Sequence, residues 1–333
     1  MKTSKQLIVI FLLLLLTACN TNNPSTPAVG APAATETLLT PTDTAVPSPR
    51  IVLLAPPETD PILLAEIEPE INTIAAENAM QLEISQALDP AALPANMQLV
   101  VAAPSSPNLP DLVAAAPQVQ FVALMIPGLT PADNLTVISP GGQDALNQGF
   151  IAGYIATVLT DDYRVGSITS FSQPGYRQGF ITGARFYCGL CPQLYPPYHE
   201  YPLSAEINAN PSPAEWQSAA DQLLTSSVNT IFIAPDIADS ALFEYLAQKD
   251  INFISTVVPP ETAKSNWLLA IEYDIPTVLQ QVLPAVLQNG AMEQVNAPLS
   301  LHPSDSALLG PGYIAHFDHI INQLQQGAID PGY

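Results

Sequence analysis

The stretch QGFIAGYIATVLTDDYRVGSITSFSQPGYRQGFITGARF, residues 148–186, joins a helical pattern, a short β-rich run and a second helical pattern. It contains two near copies, QGFIAG at 148–153 and QGFITG at 178–183, each with two glycines four residues apart. Glycines at that spacing leave one helix face without side chains, so we expect each helix to approach a sheet closely. The same spacing is typical of helix pairing in membranes, but both segments are too mixed and too short to span one.

The alternation of β-rich runs and helical patterns extends over the chain from Ile51 onward. The runs are continuously apolar and mostly end in proline, which is typical of strands buried on both faces of a parallel sheet. A first series is IVLLAPP (51–57), MQLVVAAP (97–104), VQFVALMIP (119–127) and LTVISP (135–140). A second series is YRVGSITS (163–170), VNTIFIAP (228–235) and INFISTVVPP (251–260). We therefore predict an α/β protein with two parallel sheets.

Later helices carry signals of their own. Ser212 and Glu215 have the spacing of a capping box at a helix start. A further strand, WLLAIEYD (267–274), and a further helix, PTVLQQVLPAVLQNG (276–290), follow. Because proline cannot donate a helical hydrogen bond, Pro284 predicts a kink or a break in that helix.

The first residues have the layout of a secretory signal. Two lysines precede ten apolar residues at 7–16, a run too short to stay as a membrane-spanning helix. The quartet LTAC at 16–19 resembles the lipobox of bacterial lipoproteins, in which the cysteine receives a diacylglycerol and becomes the new N-terminus. We predict a signal peptide at 1–18 and a lipidated Cys19; an ordinary signal peptide cleaved near a cysteine is the alternative. Residues 19–49 are rich in Pro, Thr, Ala and Ser and form a predicted disordered tether.

Charge and composition exclude several functions. The 333 residues contain 8 Lys and Arg against 30 Asp and Glu, a formal net charge of −22. Such a surface repels nucleic acid, because phosphate binding depends on clustered cations. A hydrophobic fraction of 48% supports a core large enough for two domains or lobes. We find no HExxH, GxSxG or Walker motif, so we predict neither an enzyme nor a cofactor or metal site.

Two further cysteines, Cys188 and Cys191, form a CxxC motif. An oxidising compartment favours a disulfide between them. A redox centre is the alternative, but that function requires the motif at a helix start. Here CGLC follows the helical run GFITGARFY, where the helix dipole does not favour a thiolate. We therefore predict a structural disulfide.

The stretch at 148–186 is similar to the basic membrane protein (BMP) family of substrate-binding lipoproteins, whose members feed nucleosides or similar solutes to ABC importers. A second, looser match is VNTIFIAPDIADSALFEYLAQKDINFIST at 228–256. The resemblance implies a type I periplasmic-binding-protein fold, in which three chain crossings join two α/β lobes and the ligand lies between them. On this basis lobe one comprises 50–141 plus 258–296, and lobe two 142–257 plus 297–333.

Candidate ligand-binding residues follow from the strand ends, where open parallel sheets bind their ligands. An aromatic ring can stack on a base or sugar, and a carboxylate can accept hydrogen bonds from ribose hydroxyls. The candidates are Ser105, Ser106, Phe171, Gln173, Tyr176, Asp236 and Thr256.

Three of these candidates have structural alternatives. Phe171 can close the core, Asp236 can cap a helix that begins near Ile237, and Tyr176 lies at helical spacing from Phe180, as buried residues do.

The leading hypothesis is a lipid-anchored, extracytoplasmic protein that binds a small neutral or cationic solute, a nucleoside-like one among the candidates, and presents it to an ABC permease. The alternative is an envelope sensor or interaction protein that uses the same two-lobed scaffold without transport. It rests on the sequence at 255–257, which reads Ser-Thr-Val where members of the family carry an acidic ligand contact.

Overall fold

The computed structural model describes residues 48–140 and 144–332. The predicted signal peptide, the lipidated Cys19 and nearly all of the tether lie outside the described residues. None of the described helices has both the length and the apolar character needed to cross a bilayer.

The described chain alternates strands and helices in the predicted manner. The strands are β1 (Arg50–Leu54), β2 (Gln81–Ser85), β3 (Met97–Ala102), β4 (Gln120–Leu124), β5 (Leu135–Ser139), β6 (Val165–Ser170), β7 (Leu203–Ile207), β8 (Thr230–Ile233), β9 (Asn252–Ser255), β10 (Trp267–Tyr273), β11 (Val295–Asn296) and β12 (Leu299–Pro303). The helices are α1 (Pro61–Glu77), α2 (Leu109–Ala115), α3 (Asp144–Val158), α4 (Pro174–Cys188), α5 (Pro213–Thr225), α6 (Ser240–Gln248), α7 (Ile275–Asn289) and α8 (Pro311–Gln325).

Two six-stranded sheets define two lobes. The first has the order β11-β5-β4-β3-β1-β2 and the second β12-β10-β9-β8-β6-β7. Neighbouring strands are parallel except for β10 and β12, which pair antiparallel. All six residues of β6 are buried, as the continuous apolar runs predict for strands covered on both faces. The predicted α/β class with two parallel-sheet lobes is confirmed.

The glycines at 148–153 and 178–183 pack helix against helix, which corrects the expectation that they approach a sheet. A methyl group built on Gly183 would overlap the backbone oxygen of Phe150, and one on Gly153 would overlap that of Phe180. The contact is reciprocal: Gly149 and Gly179 face backbone atoms of the opposite helix in the same way. The two near copies are therefore the two halves of one interface between α3 and α4.

The second of the three crossings between the lobes lies at a different place from the predicted one. The expectation that 258–296 belongs to lobe one is wrong for β10, because that strand pairs with β9 and β12 in the second sheet. Among the described elements, the first and third crossings fall between β5 and α3 and between β11 and β12, in line with the predicted bounds, whereas the second falls between β10 and α7 and not near residue 258. Hydrogen-bond pairing decides which sheet a strand joins, and an apolar run such as β10 is compatible with either sheet.

Two predictions about helices have different outcomes. The capping box is confirmed, because Ser212 N donates to the Glu215 carboxylate at 2.9 Å and Ser212 is the N-cap of α5. A break at Pro284 is wrong, because α7 continues through this residue to Asn289. The apolar residues of α7 lie in the core of the first lobe, and this packing holds the helix together across the proline.

The CxxC motif lies at the C-terminal end of α4, as predicted. The structure places the two sulfur atoms within bonding distance, with the Cα atoms 4.7 Å apart. The structural disulfide remains a prediction, and this geometry is compatible with it.

Replacing both Cys188 and Cys191 with serine is expected to lower the free energy of unfolding by no more than about 2 kcal/mol, because the closed loop is short. Denaturant unfolding of the double variant measures this change. Thiol titration of the unreduced protein is expected to detect neither cysteine. A measurable thiol-exchange activity that Cys188→Ser abolishes would contradict the structural role.

Candidate functional site

A cavity of about 320 Å³ lies between the two lobes. Its walls come from the carboxyl ends of strands in both sheets: Met125 follows β4, Thr256 follows β9 and Tyr273 ends β10. This is the place where open parallel sheets bind ligands. The complete lining is Asp60, Ile62, Leu63, Glu66, Met125, Pro140, Asp144, Gln148, Tyr176, Pro235, Thr256, Val257, Val258, Glu272, Tyr273 and Ile275.

The charged side chains of the lining are all acidic. Asp60, the N-cap of α1, and Glu66, within α1, come from the first lobe, whereas Asp144 and Glu272 come from α3 and β10 in the second. No Lys or Arg is among the described residues that line the cavity. We call these four carboxylates the acidic lining.

Glu272 is a partly buried carboxylate near two others. Burial raises its pKa to about 7, and the neighbouring Glu66 and Asp60 add to this rise. The imidazole of His302 lies to one side, with its Nδ1 3.6 Å from Oε2 of Glu272. Near neutral pH, Glu272 is therefore close to the midpoint of its titration.

Asp144 lies in the first turn of α3, where the chain enters the second lobe. Burial raises its pKa to about 6. Tyr176 packs nearby and donates from its hydroxyl to Gln148 Oε1 at 3.1 Å, while Gln148 Nε2 donates to the backbone oxygen of Ile271 at 3.0 Å. Burial raises the pKa of Tyr176, as do the charges of Asp144 and Asp236, so the phenol stays protonated.

Several polar atoms of the lining are buried and lack a hydrogen-bond partner among the described residues. They are Asp144 Oδ1, Thr256 Oγ1 and Tyr273 Oη. Because buried polar groups in folded proteins are nearly always paired, such a group of atoms marks a place where a ligand or water can bind.

Two of the seven sequence-predicted ligand residues, Tyr176 and Thr256, line the cavity. Ser106 is not part of the lining; it is buried in the first lobe, where its hydroxyl donates to Ala103 O at 2.7 Å. Ser105 and Gln173 are exposed outside the lining.

Phe171 and Asp236 also lie outside the lining. Phe171 is 62% exposed, so the alternative that it closes the core is wrong. Asp236 accepts hydrogen bonds from the hydroxyls of Ser170 and Ser172. It does not cap α6, because Asp239 does so by accepting from Ala241 N at 2.7 Å. The ligand-binding roles of the seven residues remain predictions.

The four carboxylates of the acidic lining were not predicted from the sequence. Glu272 and Tyr273 end a strand that we expected in the other lobe, and Asp144 follows the predicted crossing at 141–142 but does not come directly after an apolar run. Asp60 is the N-cap of the first helix and Glu66 lies within that helix, so neither residue comes directly after an apolar run. An Asp directly before a helical proline, as in Asp60-Pro61, is the signal that was available.

Comparison with known proteins supports the fold. No protein-family model matches the sequence, and no curated protein matches it. Among solved structures, the chain is similar to a transcriptional activator of the comK gene from Bacillus halodurans, with a TM-score of 0.62, 13% identity and coverage of 85% of this chain and 99% of that one.

Two ABC transporter solute-binding proteins are also similar. The protein from Conexibacter woesei has a TM-score of 0.57 and 15% identity over 85% of this chain and 98% of that one. The protein from Aeropyrum pernix has a TM-score of 0.54 and 11% identity over 85% of this chain and 93% of that one. At such identities the likeness shows the fold alone, which is that of the type I periplasmic binding proteins. The resemblance to the BMP family remains a prediction.

Proposed function

We propose that this protein is an extracytoplasmic solute-binding protein that captures a small molecule between its two lobes and delivers it to an ABC permease. The observation that carries the proposal is the cavity between the strand ends of the two sheets, with its unpartnered buried atoms Asp144 Oδ1, Thr256 Oγ1 and Tyr273 Oη. Lipid attachment at Cys19 would moor the protein at a membrane, and the tether would let it reach the permease.

The connections between the lobes support a hinge. Among the described elements, the chain passes from one sheet to the other three times, and two of these connections are short: Asp274 alone separates β10 from α7, and residues 297–298 separate β11 from β12. Hinges of this kind absorb the change in backbone angles when two lobes close over a ligand. Closure would bury the solute and change the surface that the permease contacts.

The cavity also bears on the size of the ligand. A volume of about 320 Å³ is near the lower limit for small-molecule sites, so a single small solute would fill it. The aromatic rings of Tyr176 and Tyr273 are available to pack against such a solute, and the apolar side chains of Ile62, Leu63 and Ile275 offer further contact.

Ligand screening by thermal unfolding tests the proposal, with nucleosides, bases, sugars, amino acids and amines as the panel. A true ligand at 100 times its dissociation constant is expected to raise the free energy of unfolding by about 2.7 kcal/mol. Absence of a shift with every solute would contradict solute transport.

A substitution that fills the cavity with a larger side chain, compared with the same change outside the cavity, locates the binding site. Val257 lines the cavity and is 37% exposed, so Val257→Trp is expected to remove the ligand-induced shift while the free protein stays folded. Met292 is also 37% exposed but lies outside the cavity, and Met292→Trp is expected to keep the shift. Equal binding by both variants would place the ligand elsewhere.

A further inference from the structure

The charge distribution of the cavity indicates the class of ligand, given the solute-binding function proposed above. The acidic lining brings carboxylates from both lobes to one small space, and no Lys or Arg among the described residues shares it. Oxygen atoms of Glu66 and Glu272 and a nitrogen of His302 lie within 4.8 Å of one another. An anionic solute would be repelled here, and a neutral solute would leave the carboxylates without a counter-charge.

A second observation concerns unpartnered buried oxygen atoms, two of which belong to hydroxyl groups and not to carboxylates. Thr256 is 9% exposed and lines the cavity, and its Oγ1 has no partner within the described part of the chain. Tyr273 Oη and Asp144 Oδ1 are unpartnered in the same cavity. All three are oxygen atoms that can accept hydrogen bonds, and a protonated primary amine carries three donors and no acceptor, whereas a quaternary ammonium group has no donor and would be held by charge alone.

The size and the walls of the cavity distinguish an organic cation from a bare metal ion. A metal ion needs only its ligand atoms around it, whereas this cavity of about 320 Å³ also has apolar walls. Ile62, Leu63, Val257, Val258 and Ile275 supply these walls. Such surfaces fit the carbon skeleton of a small amine, with the charged end at the acidic lining.

We propose that the solute is a small organic cation, an amine or quaternary ammonium compound whose charged group is held by Asp144 and Glu272, with Glu66 and Asp60 facing them from the first lobe. In the free protein the carboxylates of the two lobes repel each other and favour an open cleft. The cation contacts the carboxylates of both lobes at once, so its binding favours the closed state of the cleft.

Calorimetric titration with matched pairs of compounds tests this proposal on the purified chain. Choline is compared with 3,3-dimethylbutan-1-ol, and putrescine with 1,4-butanediol, since the members of each pair differ mainly in charge. At least one cation is expected to bind at least 100-fold more tightly than its neutral counterpart. Asp144→Asn and Glu272→Gln are each expected to weaken that binding at least 10-fold.

Glu68→Gln is the control, because Glu68 lies on the same helix as Glu66, is exposed and does not line the cavity. It removes the same charge and is expected to leave the affinity unchanged. Weakening by Glu68→Gln equal to that by Glu272→Gln would show a general effect of net charge and would overturn the proposal.

The pH dependence gives another readout. The groups that face Glu272 are Glu66 on α1, Asp60 at the N-cap of α1 and His302 on β12, and Tyr176 on α4 faces Asp144. Because protonation of the carboxylates removes the charge that the cation needs, affinity is expected to fall at least 10-fold between pH 8 and pH 5. A pH-independent affinity would contradict recognition by the acidic lining.

The remaining outcomes separate this proposal from the proposed function. If a neutral sugar, a nucleoside or the alcohols bind as tightly as the cations, the cationic ligand is wrong and solute binding stands. If no solute of any charge binds, both fail. A third outcome is that zinc chloride binds whereas none of the amines binds, and that His302→Ala abolishes the zinc signal. In that case the site is a metal site and the proposal of an organic cation is overturned.

Discussion

Replacing Gly183 with alanine is expected to lower the free energy of unfolding by about 3 kcal/mol or more. The added methyl group would overlap the backbone oxygen, carbonyl carbon and Cα of Phe150 on α3. These backbone atoms belong to a buried helix and cannot move aside as a flexible side chain could. The two helices would have to separate along the interface that both glycine pairs form. Thermal or denaturant unfolding measures the loss.

Gly312 supplies the control for this change. It lies in the first turn of α8, and a methyl group there would meet nothing within 4 Å. Gly312→Ala is therefore expected to be neutral or to stabilise the protein by up to about 1 kcal/mol, because alanine favours the helix more than glycine does. If Gly183→Ala and Gly312→Ala unfold at the same denaturant concentration, the close packing of α3 on α4 is wrong.

The double variant Asp144→Asn/Glu272→Gln is expected to be more stable than the parent protein at pH 8, by about 2–4 kcal/mol after allowance for solvent screening. Burial raises the pKa of Asp144 to about 6 and that of Glu272 to about 7. Between the ordinary and the raised pKa values the folded state binds more protons than the unfolded state. The stability that these groups contribute is therefore full below about pH 4 and is lost as the pH rises through 6 and 7.

Denaturant unfolding at pH 4, 5, 6, 7 and 8 measures this effect as the difference between variant and parent. The difference is expected to be small at pH 4, where both carboxyls are protonated and resemble the amides. Glu68→Gln/Glu293→Gln removes two exposed carboxylates and serves as the control for net charge. The prediction is contradicted if the difference in free energy of unfolding stays constant across the pH range, or if the control variant gains as much stability. Either result would show that the ionised cavity carboxylates do not destabilise the folded protein more than exposed carboxylates do.

The strands of both sheets that are buried on two faces could be predicted, because burial on both sides requires continuous apolar runs. Val100 and Val101 of β3 show the pattern, as both are fully buried although they point to opposite faces. The edge strands β2 and β7 escaped prediction. Their sequences are QLEIS and LSAEI, and only one of these ten residues is buried. An edge strand is covered less by the rest of the protein and therefore tolerates polar residues, so it lacks a continuous apolar run.

The site was predictable only in part, for a related reason. Thr256 directly follows an apolar strand, so its place at the strand ends could be inferred. Glu272 occupies the end of a strand too, but its lobe was assigned from a resemblance and not from hydrogen bonding. Asp144 lies about 130 residues from Glu272 in the chain, and no local pattern reports that two such residues share a cavity.

The sequence by itself determined which segments are buried strands, where α5 begins, and that the chain forms α/β layers, because these features depend on periodicity and on local hydrogen bonds. Tertiary structure alone decided the partner of the glycine faces, the sheet that β10 joins and the meeting of four carboxylates between the lobes. Each of those outcomes depends on contacts between residues far apart in the chain. Such contacts are selected by the packing of whole elements, which leaves no periodic trace in either segment.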